Sequence, residues 1–189
     1  MVKLKDQNGE EISVNQRKRE KCPIPKKVED LLVKQLSHEL YNHNLYKTFS
    51  VYFAVEGLYL LEKYYDSRAK EEYKHAEWIL KYMKENDVVF QYPAVEPINM
   101  TIDNHLFTFE LTLETEIETT ELIKELYSVA VEEKDLFTQQ WLMDNNPDTG
   151  MLIKEQVEEE SISRTILDLA NCDEPWLKKQ KVILEFYEG

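Results

Sequence analysis

One series of core-facing positions between Leu58 and Tyr82 constrains the fold of this chain more than any other feature. Its members follow one another at alternating steps of three and four: Leu58, Leu61, Tyr65, Arg68, Glu72, His75, Ile79 and Tyr82. Such spacing is typical of the contact seam of a helix in a left-handed bundle. Glu72 and His75 are three residues apart, so they lie on the same face of that helix. One helix therefore offers a carboxylate and an imidazole to the same point in the core.

Comparable apolar stripes predict three more long helices and a short one. We expect helices at about Lys27–Phe53, Leu58–Asn86, Asp103–Asp135 and Met151–Asn171, and a short helix at Pro175–Glu188. Gly57 is expected just past the end of the first helix, and Asp103 is expected as the N-cap of the third. Residues 145–150, Asn-Asn-Pro-Asp-Thr-Gly, are a strong turn signal before the fourth long helix.

The connection from Asp87 to Ile102 contains two prolines and little helical periodicity. It is long enough to run the length of a bundle in extended form. We therefore predict an all-α four-helix bundle with a long crossover between the second and third helices and a short C-terminal helix. The predicted division is a flexible tail at residues 1–25, the bundle at 26–172 and the last helix within 173–189.

Charge and composition limit the partners of this chain. A net charge of −14 argues against nucleic acid and favours the attraction of cations. No apolar run approaches the ~20 residues that span a bilayer, and Met1–Lys21 lacks the apolar core of a secretory signal. Cys22 and Cys172 are expected as reduced thiols rather than as a disulfide framework. We expect a cytoplasmic protein that binds neither membrane nor nucleic acid.

Carboxylates fall on core stripes at mid-length in all four long helices, at Glu39, Glu72, Glu116 and Glu159. A buried carboxylate without a partner is very costly, and a shared cationic centre removes that cost. Oxygen ligands with one imidazole, that of His75, suit iron, manganese or zinc. A carboxylate such as Glu72 can bridge two ions. The leading hypothesis is therefore a di-iron carboxylate site.

The chain resembles the ferritins, most closely the non-haem bacterial type, over about Val28–Leu169. The matching stretches are His-Glu-Leu-Tyr at 38–41, Arg-Ala-Lys-Glu-Glu-Tyr-Lys-His-Ala-Glu at 68–77 and Glu-Gln-Val-Glu-Glu-Glu at 155–160. The resemblance implies a ferritin-like bundle and a ferroxidase. Such a protein oxidises iron(II) with dioxygen or peroxide and stores iron(III) as mineral in a homo-oligomeric, 24-subunit cage.

The resemblance also assigns the core carboxylates and the imidazole to a dinuclear iron centre. It implies that Glu39 and His75 hold the first iron and that Glu72 bridges the pair. It implies that Glu116 and Glu159 hold the second iron.

Five further residues neighbour this centre by the same resemblance. Gln156 lies beside the second iron, and Tyr46 matches a tyrosine that neighbours the centre and donates an electron. A third, outer iron site is implied at Glu71, Glu155 and Glu158, and it shares Glu159 with the second iron. The chain departs from the family near residues 146–150, where the family usually continues as helix.

Two alternative functions stay open at this stage. One is a cage or storage subunit without catalytic activity, although the light-chain ferritins of that kind lack the ligands that this chain has. The other is a rubrerythrin-like di-iron peroxidase, which needs a second Glu-x-x-His. Three residues after Glu116 and Glu159 stand Thr119 and Ile162, so the second histidine is missing in both places.

Overall fold

The computed structural model describes residues 4–5, 11–12, 24–144 and 152–188. Its elements are β1 Leu4–Lys5, β2 Glu11–Ile12, α1 Lys26–Val55, α2 Tyr59–Glu85, α3 His105–Glu132, α4 Leu136–Leu142, α5 Leu152–Asn171 and α6 Trp176–Glu188. β1 and β2 pair antiparallel, with Leu4 opposite Ile12. The predicted bundle is confirmed, and its four long helices are α1, α2, α3 and α5. The predicted turn at 145–150 and most of the predicted tail lie outside the described residues.

The long crossover follows from the directions of the helices. α1 is antiparallel to α2 and to α3, as shown by the pairs Glu39–His75, Lys47–Asp66, Lys27–Glu133 and Tyr52–His105. α2 and α3 therefore run in the same direction, and the connection at 86–104 has to return along the bundle. It can span about 60 Å when extended, whereas the 28-residue α3 is about 42 Å long. The predicted crossover is confirmed.

Two apolar clusters form the core, and a polar layer separates them along the bundle. One cluster contains Leu36 and Ile79, and the other contains Phe49 and Tyr65. Side chains of the crossover pack against both clusters. The core-facing polar residues between the clusters lie at mid-length, and each cluster excludes water from one side of that layer.

Three helices end in the same backbone motif. Gly57, Asp87 and Lys134 have φ values of 73°, 57° and 59° just past the C-caps of α1, α2 and α3. In each, the next amide bonds back to a carbonyl in the last turn, as in a Schellman motif. The expected place of Gly57 is confirmed. α3 ends at Glu132 rather than near Asp135, because Lys134 adopts the left-handed conformation that glycine usually takes at a helix end.

Two local predictions need correction. The N-cap of α3 is Asn104, whose side chain accepts a hydrogen bond from the Phe107 amide at 3.0 Å, and not Asp103. The seven-residue α4 was not predicted. The carboxylate of Asp135 caps it by accepting from the Thr138 amide, and its Trp141 lies in the first apolar cluster.

The predicted C-terminal helix is confirmed as α6, which packs on α2 and α5. Gln180 accepts a hydrogen bond from the Leu60 amide at 3.1 Å, and the Tyr187 hydroxyl donates to Glu71 at 2.7 Å. α6 thus satisfies a free amide at the start of α2. Cys172 is exposed with a free thiol, whereas Cys22 lies outside the described residues. Within the described part of the chain, no helix has the length and apolar character needed to span a membrane.

Candidate metal centre

Four helices bring five side chains of the kinds that can ligate a metal ion into the polar layer. Glu39 comes from α1, Glu72 and His75 from α2, Glu116 from α3 and Glu159 from α5, and none is more than 7% exposed. Each lies on the stripe that faces the bundle axis, so helical periodicity alone aims it inward. The structure therefore brings together the five residues that the sequence predicted.

The ligand atoms form three overlapping groups, each with its atoms within 4.8 Å of one another. We call Glu39–Glu72–His75 the first half of the centre and Glu72–Glu116–Glu159 the second half. The third group is His75–Glu155–Glu159. Glu72 belongs to both halves, which is the position of a bridging carboxylate.

His75 faces carboxylates from both ring nitrogens. Its Nδ1 lies 3.7 Å from Glu72 Oε2 and 3.8 Å from Glu39 Oε2. Its Nε2 lies 3.0 Å from Glu155 Oε2 and 3.8 Å from Glu159 Oε1. Burial by itself would lower the pKa of His75, but Glu159 and Glu155 raise that pKa well above its ordinary value. The imidazole thus carries a positive charge among these acids.

The first half contains buried ligand atoms that have no hydrogen-bond partner. These atoms are Glu39 Oε2, both carboxylate oxygens of Glu72 and His75 Nδ1. Gln35 donates to the other oxygen of Glu39 at 2.6 Å and so fixes that carboxylate. Nearly all buried polar atoms in folded proteins are satisfied, so four unsatisfied ones at a single point require an explanation. A divalent cation that accepts oxygen and imidazole ligands fits these residues.

The second half contains a side chain to which the sequence analysis gave no role. The guanidinium of Arg68, 1% exposed, lies 2.5 Å from Glu116 Oε1 and 3.2 Å from Glu159 Oε1. It also lies 3.9 Å from Glu72 Oε1. Arg68 stands on the core stripe of α2, and a charge in a core position is the signal that singled out the glutamates. The same signal identifies Arg68 as part of the site.

Two other predicted neighbours hold Glu116 in place. The hydroxyl of Tyr46 donates to Glu116 Oε1 at 2.5 Å, and the amide of Gln156 donates to Glu116 Oε2 at 3.0 Å. The same amide also reaches the main-chain oxygen of Glu116 at 3.0 Å. Burial and the charges of Glu116 and Glu72 raise the pKa of Tyr46 well above its ordinary value. The phenol therefore stays protonated and keeps donating.

The carboxyl groups of the centre differ in proton affinity. Burial raises the pKa of Glu159 to about 7, although Arg68 and His75 oppose the rise. Burial and the charge of Glu116 raise the pKa of Glu72 well above its ordinary value. Burial also acts to raise the pKa of Glu39, but interactions with His75 outweigh it and lower that pKa to about 2. A metal ion entering near neutral pH therefore displaces protons.

The predicted outer residues border an open cavity beside the centre. The cavity has a volume of about 210 Å³ and is lined by Glu71, Lys74, Glu155, Glu158, Glu159 and Ile162. Glu71 pairs with Arg68 at 3.1 Å, and Glu155 pairs with Lys74 at 3.2 Å. Glu158 is exposed. These acids thus lie along one route between the centre and the surface.

Known proteins share both the sequence and the fold. The family model described as the ferritin-like domain matches residues 29–172. A bacterial non-heme ferritin of Bacteroides fragilis is 28% identical over 145 residues, which cover 77% of this chain and 87% of that protein. Ferritin BfrB of Mycolicibacterium smegmatis is 28% identical over 141 residues, which cover 75% of this chain and 74% of that protein.

Solved structures agree with these matches. An open pore ferritin from the archaeon Archaeoglobus fulgidus superposes with a TM-score of 0.76 at 28% identity, covering 85% of this chain and 98% of that one. A closed form of the same protein, made by site-directed mutagenesis, gives a TM-score of 0.74 at 28% identity, with 85% and 97% covered.

Proposed function

Because this chain belongs to the ferritin family, we propose that it is an iron-storage subunit with ferroxidase activity. Two iron(II) ions bind at the centre, and each gives up one electron. The two electrons and two protons convert dioxygen to hydrogen peroxide, or hydrogen peroxide to two waters. The iron(III) product passes into a mineral inside a cytoplasmic cage of 24 copies of the chain.

One observation carries this proposal. The two halves of the centre share Glu72, and the ligand atoms of the first half are buried without hydrogen-bond partners. A site that only stabilised the fold would be better satisfied in the absence of metal. Two sets of ligands that share Glu72 instead suit two ions held close together, so that both electrons can go to one oxidant.

The geometry supports a role for each residue. Glu39 and His75 hold the first iron, Glu116 and Glu159 hold the second, and Glu72 lies between them. Gln156 orients Glu116 through its amide. Tyr46, 2.5 Å from Glu116, is close enough to the second half to supply an electron.

The outer acids provide a path for the product. Glu71, Glu155 and Glu158 line the open cavity next to Glu159. We propose that they form a third, weaker iron site, since carboxylates partly or fully open to solvent bind a cation loosely and let it go. Iron would then leave the centre along a row of oxygen ligands.

Oxygen consumption after addition of iron(II) tests the activity. Glu72→Ala and His75→Ala should both abolish the fast phase, because each removes a ligand of the first half. Glu77→Ala is the matched control, since Glu77 is exposed on the same helix and should leave the rate unchanged. Fast oxidation by both ligand variants would show that the catalytic assignment is wrong.

Crystals soaked anaerobically in iron(II) test the location of the ions. Anomalous scattering at the iron edge should show two peaks, one beside Glu39 and His75 and the other beside Glu116 and Glu159. If neither peak is found, the proposed centre is wrong.

One observation favours a second candidate, a storage subunit without catalytic activity. Arg68 already provides a positive charge in the second half, where the second iron would bind. If it stayed there, only one ion could bind and a two-electron oxidation would be impossible. Such a protein would take up iron with no fast phase of oxygen consumption. No observation favours the rubrerythrin-like peroxidase. Three residues after Glu116, where that class could have its second histidine, stands the buried Thr119, which is hydrogen-bonded to His38 at 2.8 Å.

A further inference from the structure

We propose that Arg68 fills the second half of the centre until a metal ion displaces it, so that the two ions bind in a fixed order. The ion beside Glu39 and His75 enters first. The ion beside Glu116 and Glu159 enters second and moves the guanidinium aside. This inference rests on the proposed function and adds to it a residue that sets the order of loading.

The contacts of Arg68 coincide with the ligands of the second half. Its nitrogens lie 2.5 Å from Glu116, 3.2 Å from Glu159 and 3.9 Å from Glu72, which are the three members of that half. Its contact with the first half is through the shared Glu72. The guanidinium is therefore a covalently attached cation in the place of one of the two metal ions.

Charge makes simultaneous occupation unfavourable. A guanidinium stays protonated in proteins, and Arg68 is 1% exposed. A dication bound to Glu116 and Glu159 would lie within a few ångströms of it. Charges of the same sign repel strongly at such distances when water is excluded. Arg68 must therefore leave these two carboxylates before a second ion can bind them.

The structure also provides a place for the displaced side chain. Arg68 Nη1 already lies 3.1 Å from Glu71 Oε2, and the Glu71 side chain is 37% exposed at the rim of the open cavity. The Nε of Arg68 has no hydrogen-bond partner. A rotation toward Glu71 thus keeps one ion pair and breaks those with Glu116 and Glu159.

The first half needs no such rearrangement. The ligand atoms of Glu39, Glu72 and His75 that face one another have no hydrogen-bond partner. The first ion replaces a proton on His75 and the long ion pairs of that imidazole with Glu39 and Glu72, at 3.8 and 3.7 Å, and no side chain has to leave. The second ion must break two shorter ion pairs, those of Arg68 with Glu116 and Glu159 at 2.5 and 3.2 Å, and must move the guanidinium aside. The second binding step should be the weaker one.

Titration of the metal-free assembled protein with zinc, which has no redox chemistry, measures both steps by calorimetry. Wild type should bind two ions per subunit at the centre in separate steps, the second weaker by about tenfold or more. Arg68→Met removes the competing cation and should tighten the second step by about tenfold or more. Lys70→Met is the matched control, because Lys70 is 70% exposed on the same helix and pairs with Asp66. It should leave both steps unchanged.

A conservative variant separates charge from structure. Arg68→Lys keeps a cation in the second half and should keep the weak second step, which a general loosening of the helix would not do. If Arg68→Met does not fold, wild-type crystals give the answer. At low zinc, a single ion should lie beside Glu39 and His75 with Arg68 unmoved. In excess zinc, a second ion should appear with the guanidinium beside Glu71.

Two results would overturn the inference while leaving the function intact. One is zinc in the second half with Arg68 still bonded to Glu116. The other is equal affinity for both ions in wild type, together with fast oxidation of iron. Absence of zinc from both halves, together with no oxidation of iron, would overturn the proposed function and the inference with it.

Discussion

The hydroxyl of Tyr46 on α1 donates a hydrogen bond to Glu116 Oε1 on α3 across 2.5 Å. The guanidinium of Arg68 reaches the same oxygen at 2.5 Å, and Gln156 holds the other oxygen at 3.0 Å. Three helices thus fix one carboxylate from both sides. Such charge-assisted bonds are short and strong, and they fix the direction in which the Glu116 carboxylate faces the polar layer.

Tyr46→Phe should weaken the fold without removing metal binding. Loss of a hydrogen bond to a charged group lowers the free energy of unfolding by about 1.5–3 kcal/mol, while Arg68 and Gln156 still orient Glu116. Iron oxidation should slow, because the phenol no longer supplies an electron. Thermal unfolding of the metal-free protein and stopped-flow oxidation measure the two effects. Tyr41→Phe on the same helix is the control, and equal behaviour of the two variants would contradict the prediction.

Stability of the metal-free protein should fall as pH rises from about 5 to 7. Glu159 has a pKa of about 7 in the folded state, against an ordinary glutamate pKa of 4.5, so the folded state holds a proton that the unfolded state has released. Unfolding is then favoured as pH rises, by up to about 1.4 kcal/mol per pH unit for one such group. Glu159→Gln should flatten this slope in urea titrations between pH 5 and 7. An unchanged slope would show that Glu159 ionises normally.

Glu72→Gln should stabilise the metal-free protein and abolish its stabilisation by metal. Both oxygens of Glu72 are buried without hydrogen-bond partners, and burial raises its pKa. A neutral amide of the same shape removes the cost of the charge, of the order of 1–3 kcal/mol. Melting temperatures with chelator and with zinc measure both effects. Glu77→Gln, an exposed change on the same helix, should alter neither, and destabilisation by Glu72→Gln would contradict the prediction.

Asn104→Ala should destabilise α3 more than Asp103→Ala. Asn104 accepts from the Phe107 amide, and loss of an N-cap costs about 1 kcal/mol. The adjacent Asp103 has no such bond in the cap of α3. For a chain of this length the expected loss in melting temperature is about 2–4 °C. Equal losses in melting temperature for the two variants would contradict the assignment of Asn104 as the N-cap.

The sequence predicted the parts of the fold that depend on periodicity. The stripe from Leu58 to Tyr82 is buried along its whole length, and it placed Glu72 and His75 on the bundle axis. Glu39, Glu116 and Glu159 followed because a carboxylate on an apolar stripe is unusual enough to stand out. The roles of these residues in iron chemistry stay predictions.

Other features depended on information that periodicity does not carry. The end of α3 is set by Lys134 in a left-handed conformation, for which a lysine gives no signal. α4 begins two residues after Lys134 and has only seven residues, too few to show a stripe. The contacts of Arg68 depend on which direction its long side chain takes among α2, α3 and α5, and side chains on three separate segments decide that together.

The positive charges of Arg68 and His75 also affect how the newly synthesised polypeptide folds in the absence of metal. Domains such as zinc fingers stay unfolded until their metal arrives, since nothing else neutralises or links their ligands. Here the chain brings its own counter-ions to Glu39, Glu72, Glu116 and Glu159. Under the proposed function, folding and metal loading are separate events, and chelators should strip the centre without denaturing the bundle. A subunit of this kind can be synthesised during metal scarcity and be standing ready when supply returns.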